Sequence, residues 1–216
     1  MSTIDLDRFR DKIVAWYTAL AVPGAPHGTY RFGPGLDPGF YASADMAILR
    51  WVIGEDLRAI PNDARSEWCS VINGHQHPGG WYGPEMNHHI LHANGTATNA
   101  LCAIGGKYRY PVPYYSLFNT PERIVPWLSQ IDWTNPWSAS HLVWGGPALW
   151  ANSKWATQAW RESCLKWLDD ELNEFGAWPK SFPTLQGGKI APIGNARSTF
   201  GPSTATSASK CLGSMR

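Results

Sequence analysis

The chain has no excess of either charge: 18 Lys and Arg against 17 Asp and Glu leave a net of +1 over 216 residues. That removes the electrostatic basis for gripping nucleic acid or an anionic membrane. No apolar run approaches membrane-spanning length, and the first residues carry acids where a secretory leader needs a basic start. Cysteine is scarce. Cys69, Cys102, Cys164 and Cys211 show no C-x-x-C spacing and sit mostly inside helical patterns. Buried thiols in a reducing compartment are therefore expected, and with them a cytoplasmic address. There is no phosphate loop, nucleophile elbow or dinucleotide fingerprint, so no motif specifies a cofactor.

Tryptophan is abundant instead: 13 indoles in a chain that is 44% hydrophobic. Cores more often lean on Leu, Ile and Val, so this excess points toward an apolar or sugar-stacking cavity lined by aromatic rings.

The chain is organised around residues 62–106. A helical run, Asn62 to Asn73, leads into Gln76-His77-Pro78-Gly79-Gly80-Trp81, and a second run from Glu85 to Ile104 ends at Gly105-Gly106. Glycines let the backbone turn, Gln76 can bond freed helix-end groups, and Trp81 can plug the gap between helices. Glycine-x-aromatic recurs as Gly28-Thr29-Tyr30 and Gly176-Ala177-Trp178, with a degenerate copy at Gln130-Ile131-Asp132-Trp133. The aromatics at 30, 81, 133 and 178 lie 51, 52 and 45 residues apart, the length of a helical hairpin.

Periodicity predicts further helices over 3–20, 40–53, 120–132, 136–151 and 154–174. The first presents Phe9, Ile13, Trp16, Tyr17 and Leu20 on one face. The second is apolar on several sides and is expected to be buried. Thr120-Pro121 should cap and start the fifth, and Gly145-Gly146-Pro147 should break or kink the sixth. Residues 184–216 are rich in Gly, Ser, Thr and Pro and carry little apolar period, which predicts a poorly ordered tail from about 181.

Alternating helices joined by Q-x-x-G-x-W turns (Gln76, Gly79, Trp81, with echoes at Gln130/Trp133 and Gly176/Trp178) resemble the α/α toroid of terpenoid cyclases and protein prenyltransferase β subunits. The resemblance implies an all-α fold over residues 1–180. About 3.5 hairpin repeats of roughly 50 residues would form an incomplete ring around an aromatic-lined cavity. In that family the motif braces the fold. The acidic D-x-D-D box of the cyclases is absent; Asp169-Asp170-Glu171 is the nearest sequence and has the wrong form.

Two groups of polar residues can carry chemistry. Glu85, His88, His89 and His92 fall at helical spacings that bring pairs onto one face, with His141 or His75 as outside partners. They suit acid–base work or substrate contact; Glu85, His88 and His92 have ligand-like spacing, but without H-E-x-x-H no metal is assigned. Asp45 stands in an apolar helix, where a buried carboxylate would have a raised pKa and act as a general acid. Arg50, one turn on, is its expected ion-pair partner. Trp81, Tyr82, Trp133, Trp137, His141 and Trp144 are expected to line the cavity, and Tyr108, Tyr110, Tyr114 and Tyr115 to rim its mouth.

Three functions fit these residues: a cyclase-like protein binding a hydrophobic isoprenoid-like ligand, a carbohydrate-active toroid enzyme (epimerase, lyase or hydrolase), and a non-catalytic helical repeat. A deep cavity with buried Asp45 favours the first, an open groove with exposed Trp and paired acids the second. A shallow ring without clustered polar groups favours the third. An open ring also exposes apolar inner-helix surface and is expected to self-associate. Sedimentation of the purified chain should therefore show oligomers; a monodisperse monomer that unfolds cooperatively refutes the open ring.

Overall fold

Helix accounts for all the regular structure of the residues described. The computed structural model describes residues 7–83, 90–151, 153 and 155–172. Outside the helices there are only isolated bridges, such as Ala21 with Tyr30 and Arg31 with Pro38. The all-α class expected from the periodicity is what the chain adopts. Its contacts divide into two compact units, residues 1–76 with 96–109, and residues 77–95 with 110–216.

The first unit contains α1 (Asp7–Leu20), α2 (Phe40–Val52), α3 (Asn62–Asn73) and the C-terminal part of α4 (Ile90–Ile104). In α1, Tyr17 and Leu20 are buried, but Phe9 and Trp16 are exposed. At 100° per residue Tyr17 lies at one edge of the apolar stripe and those two about 80–100° away at the other, and the core covers only the Tyr17 side. Helix α2 is buried from Phe40 to Ala47 apart from the exposed Asp45, but it is not buried throughout as its composition predicts: its end opens to solvent at Trp51 and Val52. Helix α3 packs on α2 through Trp68 and Ile72, both fully buried. The Trp68 indole donates to the Ser43 carbonyl at 3.0 Å, so the two helices are tied as well as packed. Small residues let α4 sink into its surroundings: Ala93, Ala97 and Ala100 have no exposed surface.

The second unit contains a 3₁₀ turn (Pro113–Leu117), α5 (Pro121–Ser129), α6 (Pro136–Val143), a π-helical turn (Trp144–Ala148), α7 (Leu149–Ala151) and α8 (Gln158–Asp170). Helix α5 lays Ile124 and Leu128 against α8, which answers with Trp160, Cys164 and Leu168, one per turn. The start of α5 differs from expectation. Thr120 holds the N-cap position, but its side chain makes no capping bond; its hydroxyl bonds the Glu122 carboxylate instead. Caps do form at Asn135, which accepts from Ser138 N at 3.1 Å, and at Thr157, which accepts from Trp160 N at 3.1 Å. The second cap starts α8 later than periodicity alone suggests. Nor does Gly145-Gly146-Pro147 break its helix. The turn widens to π winding, which accommodates Pro147, and the run continues to Ala151.

Two of the glycine–aromatic units are alike in structure. Gly28 and Gly80 have φ of +88° and +87°, and the residues two beyond them, Tyr30 and Tyr82, are buried. The equivalence therefore pairs Tyr30 with Tyr82 and Gly28 with Gly80, one residue later than the sequence match of Tyr30 to Trp81 through Gly79. The segment around Trp133 is built differently. No glycine turns it; Asp132 accepts from Thr134 N at 3.0 Å, and the Trp133 indole donates to the Leu128 carbonyl at 3.0 Å. Gly176 and Trp178 lie outside the described residues.

At Gly28 a Cβ would fall 2.0 Å from Trp68 Cγ, whereas at Gly24, also at positive φ, it would meet nothing within 4 Å. Gly28→Ala should cost about 3 kcal/mol or more and Gly24→Ala about 1 kcal/mol in urea unfolding. Equal losses would show that the approach to Trp68 contributes nothing.

Candidate functional site

The second unit brings four of the expected residues together. Trp137 and His141 are four apart on α6 and so share a face, and Trp144 follows three later on the same side. His92, from α4, enters this row. Its ring lies 4.4 Å from that of His141 and 5.2 Å from that of Trp144. Trp137 meets His141 edge-on at 4.8 Å. His141 is buried, His92 and Trp144 are half-buried, and Trp137 is 59% exposed. The result is an imidazole pair flanked by indoles, with one indole open to solvent.

Close backbone approach makes the row possible. A Cβ at Gly145 would fall 1.8 Å from the Leu91 carbonyl oxygen, and one at Gly95 would fall 2.6 Å from the Trp144 ring. Gly95 is one turn beyond His92, so the gap left for the indole also sets it against the imidazole. The Tyr114 hydroxyl donates to the Gly145 carbonyl at 2.5 Å and holds the π turn from its other side. The sequence points to Tyr114 as a rim residue and to Gly145 as a helix breaker, not to this contact; the small-residue content of α4 says that something comes close without saying what.

Other expected wall residues are core or bracing. Tyr82 is fully buried, and Trp133 is 8% exposed and stacks on Trp167. Trp81 stacks on Tyr114 at 5.1 Å and 22°. Tyr114 is buried rather than rimming a mouth, and Tyr108 bonds Thr98. Gln76 is buried at the end of the α3 turn, its amide donating to the Asn73 carbonyl at 3.1 Å. His75 faces the Phe40 ring. Glu85, His88 and His89 lie outside the described residues. Among the described residues no three His, Cys, Asp or Glu side chains gather to hold a metal ion.

Asp45, in the first unit, departs from expectation. It is exposed, and Arg50 does not pair with it. Arg50 bonds Glu55 at 2.8 Å and the Tyr30 hydroxyl at 3.1 Å, and its guanidinium lies 5.1 Å and 5.3 Å from the Tyr17 and Trp68 rings. The chain turns after α2, with Glu55 N bonded to the Arg50 carbonyl at 3.0 Å, which brings Glu55 to the guanidinium, whereas Asp45, five residues back, points about 140° away round the helix. Desolvation by the apolar helix around it still raises the Asp45 pKa from 3.8 to about 6. Because the carboxylate is open to water, that burial effect carries less energy than an enclosed group would give.

No known protein family, characterised protein or solved structure matches this chain.

A carboxyl whose pKa is raised by folding stabilises the protein below about pH 4, and that contribution is lost as pH climbs through about 6. Asp45→Asn should therefore raise Tm by about 1–3 °C at pH 7.5 and leave it nearly unchanged at pH 3.5. Equal shifts at both values would show that the carboxylate pays no burial cost.

Proposed function

We propose that this protein binds a sugar-like ring at Trp137, with His92 and His141 as hydrogen-bonding or proton-transfer groups at the ring's edge. The observation that carries the reading is the exposed Trp137 indole standing edge-on to an imidazole that itself faces a second imidazole. A pyranose has an apolar face that stacks on an indole and hydroxyls that need polar partners, and both are met here within one helical turn. Neutral imidazole offers one donor and one acceptor, so the pair can hold hydroxyls or pass a proton near neutral pH. The α/α toroid arrangement belongs to the same proposal, since carbohydrate-active enzymes use that architecture too. Three free cysteines among the described residues fit a reducing, cytoplasmic setting.

An isoprenoid ligand is the second reading, favoured by the raised pKa of Asp45, which keeps a proton available near pH 6. Cyclase-like carbocation chemistry needs a dry enclosure, however, and both Asp45 and Trp137 meet water. That weighs for the sugar.

Calorimetric titration with a panel of neutral and acidic oligosaccharides, and with farnesol as the rival ligand, decides between the readings. Binding of an oligosaccharide that weakens about tenfold or more in Trp137→Ala supports the proposal. Farnesol binding with no response to any sugar overturns it.

A further inference from the structure

In the first unit, the turn Pro26–Tyr30 carries a histidine that the function above does not use. Thr29 closes the turn, its amide and hydroxyl both donating to the Pro26 carbonyl. The turn is pressed onto α3 so tightly that Gly28 has no room for a Cβ above Trp68. The His27 amide donates to the Glu67 carboxylate at 2.7 Å, and the His27 ring stands edge-on to the Trp68 indole at 5.5 Å and 76°. Its Nε2 is buried and has no hydrogen-bond partner.

A neutral imidazole tolerates that position, since its bare nitrogen is then a weak acceptor against an aromatic surface. An imidazolium does not. The new N–H would be buried with no acceptor, so the charged donor would bear its desolvation without compensation. Three charged groups bear on the ring. Arg50 from α2 repels the imidazolium, while Glu67 and Asp63 from α3 attract it. Burial comes first and Arg50 second, and together they outweigh the two carboxylates, so the histidine titrates below its ordinary range.

We propose that the turn Pro26–Tyr30 is a pH-released latch, held on α3 while His27 is neutral and let go when the imidazole takes a proton. The sign follows from linkage. A histidine that gains protons more easily in the released state favours the latched state above about pH 6.5 and loses that advantage as pH falls. Release frees Gly28 from Trp68 and uncovers an indole that is otherwise wholly buried beside the Arg50 guanidinium. Acidification would thus present an aromatic–cation surface that the protein hides at neutral pH.

Hydrogen exchange of the full chain reads the latch directly, through the amides of His27, Thr29 and Arg31. After correction for intrinsic rates, their protection relative to α5 should fall about tenfold or more from pH 7.5 to pH 5.0. His27→Phe keeps a ring against Trp68 but takes no proton, so its protection should be the same at both pH values. Glu67→Gln keeps an oxygen for the His27 amide but removes an attraction that favours the imidazolium, so its fall should exceed that of the wild type. Unchanged protection in the wild type, an equal fall in His27→Phe, or a smaller fall in Glu67→Gln would each overturn the proposal.

Discussion

The buried indole N–H is the constraint on which much of this structure depends. Each tryptophan taken into a core brings a large apolar surface together with one donor that must find an acceptor. Three of them reach backbone carbonyls. Trp68 bonds Ser43 and ties α3 to α2; Trp160 bonds Phe118 at 2.6 Å and ties α8 to the segment ahead of α5; Trp133 bonds Leu128 and closes the turn after α5. The Phe118 carbonyl lies in a loop and the Leu128 carbonyl in the last turn of α5, where the regular ladder of helix bonds ends, whereas the Ser43 carbonyl lies within α2 and takes the indole as a second donor. The indoles thus fix where these segments meet. Trp150 is the exception, its Nε1 buried without a partner beside Tyr115 and Trp155. An unmet donor of this kind costs on the order of 1–3 kcal/mol.

Once indoles fix the ends, glycine decides how close the helices come. Gly95 and Gly145 let α4 and the π turn approach to a distance that any side chain would forbid. This contact, rather than a long-range network, places His92 beside His141 and Trp144. The π winding serves the same end, because it passes Pro147 without a break and keeps Trp137, His141 and Trp144 on one continuous run. A comparable economy holds the loop ahead of α8. Arg161 bonds the carbonyls of Ala151, Ser153 and Ala156, so one guanidinium reaches three points of that connection.

Electrostatics separates the two units in character. Around Arg50, opposite charge and aromatic faces are saturated: Glu55 accepts from Arg50 and from the Tyr17 hydroxyl, whose own pKa rises to about 12 through burial and that bond. Such a cluster stabilises one arrangement and leaves little for a ligand. The imidazole row in the second unit has an open indole at its edge, and that difference is why the proposed function is placed there.

Much of the helical framework was legible in the sequence. The extents of α2 and α3 follow from apolar period and the Pro61 start, and the burial of the first half of α2 follows from its composition. The pairing of His92 with His141 was one of the options that residue type and spacing left open. Less legible were partners chosen by turns. Arg50 takes Glu55 because the chain folds back after α2, while Asp45, five residues back, lies about 140° round the helix and is no helical neighbour. Trp133 and Tyr82 read as cavity walls and Tyr114 as a rim because aromatic content cannot distinguish a packed ring from a lining one; only neighbouring side chains decide that. The true register of the glycine turns follows from positive φ at Gly28 and Gly80, a backbone property that adjacent glycines hide. Sequence by itself determined the all-α class and most helix positions, because period and capping act within a few residues. Tertiary structure decided which rings face solvent and which carboxylate meets the guanidinium, because those outcomes depend on how segments far apart in the chain fill space together.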